Sequence, residues 1–133
     1  MKTIIKLFTI LFAMQMVHSQ QLVQNIDDIN KLKENEAIFI NKPLKDLLKE
    51  IKPEIRGVFA HSDPYFFNFK FITREQRIKK EGNRVSLFVY VQDMIDWKWE
   101  NRPKGKETVW TKEDAEKYGN MIVTGISIVY PRN

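Results

Sequence analysis

Apolar residues in the stretch 84–92, Arg-Val-Ser-Leu-Phe-Val-Tyr-Val-Gln, fall on both alternating faces, which predicts a strand that needs cover from two sides. The rest of the pattern is organised around it. In 65–73 Phe67, Phe69 and Phe71 alternate against Phe66, Asn68, Lys70 and Ile72, giving a strand with one strongly aromatic face destined for the core. Residues 56–61 read as the strand before it, with Ser62-Asp63-Pro64 as the turn between them. Residues 121–130 form a second rich strand in which Gly125 marks a bulge or a close backbone approach. A short fifth strand is expected at 37–40. The odd-numbered apolar pattern of 84–92 runs on through Ile95, Trp97 and Trp99, broken at Asp93, where a bend is expected.

The helical period appears where Leu44, Leu47, Leu48, Ile51 and Ile55 share one face, after a start at Asn41-Lys42-Pro43 and before a stop at Pro53. Thr111-Lys112-Glu113-Asp114 resembles a capping box opening a second short helix, which Gly119 would end in left-handed geometry. Residues 20–35 are polar, with Leu22, Ile26, Ile29 and Leu32 at near-helical spacing, and read as a frayed arm or short helix. Residues 74–83 make a charged connection closing a hairpin, and 101–107 form the main exposed loop. The order β, α, β, β, β, α, β predicts an α+β fold: a mostly antiparallel sheet of about five strands with two short helices on one face, in a single domain over 36–133. Helix-then-strand occurs at 43–61 and again at 111–130, but the residues match too weakly for a repeat.

Composition changes this picture mainly through compartment. Lys2 and Lys6 precede and interrupt an apolar run over 4–14 too short to span a bilayer, and Val17-His18-Ser19 suits signal peptidase, so 1–19 reads as a signal peptide cleaved before Gln20. Without those two lysines the formal charge falls from +5 to +3, and the basic balance no longer argues for nucleic acid or an anionic membrane. No cysteine is present, which excludes disulfides, thiolate metal sites and a cysteine nucleophile. Of the nine phenylalanines, the seven after Ser19 must help stabilise an exported domain that has no cross-links. The expected location is therefore periplasmic or secreted, with no transmembrane segment after cleavage.

Candidate chemistry is sparse. His61 and Asp63 lie two apart, where a strand would point both the same way, but two ligands do not make a zinc centre. The acid pairs Asp27/Asp28, Glu34/Glu36, Asp93/Asp96 and Glu113/Asp114 sit in polar stretches and read as solvated or helix-start charges. Phosphate loops, nucleophile elbows and zinc-helix motifs are missing, so no catalytic residue, metal or cofactor is assigned. A basic group, Lys70, Arg74, Arg77, Lys79, Lys80 and Arg84, reads as a solvated hairpin end that discourages edge pairing, since Glu75 and Glu81 interrupt it.

The candidate ligand-binding residues are Trp97, Trp99 and Trp110, flanking the loop that carries Arg102, Lys104 and Lys106. The same rings could instead be core cover. The expectation is an exported, non-enzymatic binding or interaction module for a protein or an envelope polymer, with no nucleic acid. A small envelope hydrolase using His61 and a carboxylate, or an inhibitor or immunity-type protein, are the alternatives.

Overall fold

A computed structural model describes residues 20–132, so the leader expected over 1–19 lies outside it. Four strands form one antiparallel meander in the order β1 (Gly57–His61), β2 (Phe66–Lys70), β3 (Ser86–Val91) and β4 (Val123–Val129). Phe67 pairs with Ala60 and Val89, and Val89 pairs with Ile126, which puts the inward-facing residues of all four strands in register. Between Tyr90 and Val91 the register shifts, because Tyr90 pairs with Gly125 and Val91 with Val123, leaving Thr124 as the extra residue. The bulge thus sits beside Gly125.

Val58, Phe67, Phe69, Leu87, Val89 and Ile126 make the sheet's contribution to a single buried cluster. Against it pack Leu32 of α1 (Asn30–Glu34), Leu44 and Leu47 of α2 (Leu44–Leu48), and Tyr118 of α4 (Lys112–Tyr118). The polar N-terminal stretch is part of this core, with Val23, Ile29 and Leu32 almost wholly buried. Val23 is held there by hydrogen bonds to the backbone of Glu50 and Lys52 (both 2.9 Å). The fold is α+β, with both helices expected from the sequence on one side of the sheet.

Three local expectations are corrected. Residues 37–40 are no fifth strand: Glu36–Ile38 is a 3-10 turn that buries Phe39 and leaves Ile38 59% exposed, so the sheet has four strands. The 74–83 connection contains a helix, α3 (Arg74–Lys79), closed by Lys80 in left-handed geometry (φ 57°). The bend expected near Asp93 is present, the strand ending at Val91, and Trp99–Asn101 is a 3-10 turn. Gly119 ends α4 in right-handed geometry (φ −59°), and its lack of a side chain answers packing instead: a Cβ would lie 2.5 Å from the Ala115 carbonyl oxygen.

Both sheet edges are covered. At β1 the Val58 N–H donates to the Thr108 carbonyl (2.8 Å). At β4 the Glu36 carboxylate accepts from the Ile126 N–H (2.8 Å) while Lys33 donates to the Ile126 carbonyl (2.9 Å) and to Glu36 (2.8 Å). An ion pair thereby takes the place of a neighbouring strand. Among the described residues no helix is long and apolar enough to cross a membrane.

Candidate functional site

The six residues singled out around the 101–107 loop separate into two groups. Trp110 meets Phe67 and Phe69 edge-on (centroids 5.9 and 5.1 Å), and Trp97 stacks on Tyr118 (5.6 Å), so these two rings close one end of the core. Arg102 lies over Trp97 at 3.9 Å and forks onto both Asp114 oxygens (2.9 and 2.7 Å). Asp114 also accepts from the Thr111 N–H (2.9 Å), while its own N–H donates to the Thr111 hydroxyl (3.1 Å). Burial pushes the Asp114 carboxyl up, but Arg102 and Thr111 outweigh it and hold the group below the ordinary aspartate value. Their bond to Asp114 raises the Arg102 guanidinium in turn. Trp97, Trp110 and Arg102 thus clamp the long loop to α4.

Trp99, Lys104 and Lys106 are exposed, Trp99 by 51%. Trp99 and Lys104 share a concavity of about 500 Å³ with Phe59, Arg74, Arg77 and Thr108. Lys106 lies on the neighbouring turn, its N–H donating to the Pro103 carbonyl (2.9 Å).

The sheet face turned away from α1, α2 and α4 carries a second set of aromatic residues, with Arg77 of α3 at its Phe59 end. Strand register makes rows across it: His61, Phe66, Tyr90 and Gly125 in one, Phe59, Asn68, Phe88 and Ser127 in the next. His61 lies flat on Phe66 (4.3 Å, 6° between planes), and Phe66 contacts Phe88 (4.9 Å) and Tyr90 (5.1 Å). Phe59, Phe66, Phe88 and Tyr90 are half-buried and belong to no part of the core cluster. Phe66 packs on Phe88 and Tyr90, and Phe59 lies under the Arg77 guanidinium (4.9 Å). Gly125 leaves the space above it to Tyr90, whose ring stands 3.6 Å from where a Cβ would be. Asn68 sits among these rings with its side-chain oxygen buried and unpaired. Sequence reasoning missed this face as a site, although Phe88 and Tyr90 are the second apolar set that made β3 two-sided.

His61 is exposed beside the turn, and among the described residues no three metal-ligating side chains gather. Asp63 does not continue the strand; it occupies the turn with φ 60°. Compared with protein-family models, curated proteins and solved structures, the chain matches none.

Proposed function

We propose that this chain is an exported, non-enzymatic binding module that takes an extended envelope polymer, a glycan, across the open face of its sheet. The observation that supports it is the outer layer of rings: β3 is apolar on both faces, the helices cover one, and Phe66, Phe88 and Tyr90 remain half-exposed on the other. Flat rings held by a sheet match the C–H faces of sugar rings, and polar groups set among them give orientation. Here those groups are the His61 imidazole and the Ser127 hydroxyl.

A non-enzymatic role agrees with His61 being used as a stacked ring at the end of that row. Titration calorimetry of the purified protein against soluble peptidoglycan fragments tests the reading. Phe66→Ala and Phe88→Ala are expected to weaken binding at least about tenfold, the equivalent of about 1.4 kcal/mol each, while the variants stay folded. Unchanged affinity in both folded variants sinks it.

A further inference from the structure

At the far end of the same outer face, beyond the rings, the row Gly57, Lys70, Ser86 and Val129 opens into a concavity of about 440 Å³. Lys70, Arg77, Arg84 and Arg132 line it, and no lining residue is acidic. None of the ion pairs between described residues includes any of these four cations. They come from four separate segments: Lys70 ends β2, Arg77 is in α3, Arg84 precedes β3 and Arg132 follows β4. The fold therefore brings Arg132 to Lys70, Arg77 and Arg84, cations already near one another in the sequence, against their mutual repulsion.

Two of the four are also taken partly out of water. Lys70 Nζ hydrogen-bonds the hydroxyl of Ser86, itself only 4% exposed. Arg77 spans Phe59 and reaches Thr108 at 3.5 Å, with its Nε buried and unpaired. Burial and the neighbouring Arg77 push the Lys70 ammonium below its ordinary value, and burial with Arg74 does the same to Arg77. Surface lysines and arginines kept only for solubility would point outward and spread apart. Lys70, Arg84 and Arg132 meet at one concave volume backed by Val129, with no acidic residue in its described lining, and Arg77 borders both it and the concavity at Phe59 and Thr108.

We propose that this concavity is an oxyanion site that takes a phosphate group. Phosphate fits the donor set better than a carboxylate does. Guanidinium groups present fixed N–H forks that match phosphate oxygens, and the charge, approaching −2 in a monoester and about −1 in a diester headgroup, is spread over oxygens that several cations can reach at once. The volume exceeds what one phosphate fills, so the group would arrive on a larger molecule, either a soluble phosphate ester or a lipid headgroup. The site would exist whether or not the ring face takes a glycan.

The test is an NMR titration of the purified protein with inorganic phosphate at constant ionic strength, alongside sedimentation with vesicles of phosphatidylglycerol or of phosphatidylcholine alone. Saturable shifts at the amides of Lys70, Arg84, Ser86 and Val129 are expected. Arg84→Gln, a half-exposed position, should weaken phosphate about tenfold, and Lys112→Gln on the distant α4 should bind as the parent does. Lys70→Met provides a second variant should Arg84→Gln fail to fold. Phosphatidylglycerol binding that Arg84→Gln abolishes assigns the phosphate to a lipid headgroup; saturable inorganic phosphate without vesicle binding assigns it to a soluble ester. Shifts that rise without saturation at all surface lysines alike, with no variant-sensitive vesicle binding, overturn the site. So does unaltered affinity in folded Arg84→Gln and Lys70→Met.

Discussion

Asp114 shows how a single residue is committed to several partners at once. It is the N3 residue of a capping box, the acceptor for a bidentate arginine, and 94% buried by virtue of its 6% exposure. Removing its charge leaves Arg102, with a side chain only 15% exposed, lying over Trp97 without its carboxylate. Asp114→Asn should therefore cost about 3 kcal/mol at neutral pH, the lower end of what breaking a buried pair costs, since the amide can still cap the helix. The pH dependence follows from the direction of the shift. A carboxyl held below the ordinary value of 3.8 contributes stability that is fully present above that value and is lost as pH falls through the depressed one. Urea unfolding of both proteins at pH 7 and near pH 2 checks this, the gap between them being expected to narrow in acid. A gap that is the same at both pH values would mean that the ion pair does not carry the difference.

At the scale of the element, what was legible depended on whether a segment has an apolar stripe. Leu44 and Leu47 are buried at helical spacing, and α2 was readable from them; Thr111 and Asp114 do form the capping box that opens α4. By contrast α3 buries nothing, and its Ile78 is 70% exposed, so no period marks it. The signal that could have found it is the Thr73–Gln76 capping box, with both reciprocal bonds present (2.8 and 3.2 Å). Residues 37–40 are apolar in too short a run to distinguish a strand from a turn, and tertiary packing of Phe39 decided it. Trp97 and Trp99 alternate as a strand would, yet stacking of Trp97 on Tyr118 draws the backbone out of the sheet. The edge device at β4 was invisible for another reason: Lys33 and Glu36 are 93 and 90 residues from Ile126 along the chain. Its role can be measured. Glu36→Ala should speed hydrogen exchange at the Ile126 amide and lower stability by about 1 kcal/mol, the net worth of one such bond. Unaltered protection of that amide would show that another group caps the edge.

Across the whole molecule, one sheet separates two aromatic layers that differ in what surrounds them. Phe66 and Phe67 are consecutive, so the same backbone hands one ring to each layer. Phe67 is fully buried and meets Trp110 and Tyr118 edge-on at 5.9 and 5.4 Å, enclosed by helices and loop on the core side. Phe66 touches only rings of the open face among its aromatic contacts: His61, Phe88 and Tyr90. Truncating Phe67 to Ala leaves a cavity that close-packed neighbours cannot fill and should cost about 3–5 kcal/mol. Truncating Phe66 opens no enclosed void and should cost about 1 kcal/mol, the value of its aromatic pairs. Denaturant unfolding of the two variants measures that difference on one strand, at adjacent positions, with the same chemical change. Near-equal losses would mean that the outer rings are a second structural core, and the face proposed to take a glycan would then be serving the fold. A wide separation leaves the outer rings free of a large stability role, so their exposed faces and the basic concavity at the end of the same face are what a ligand would meet.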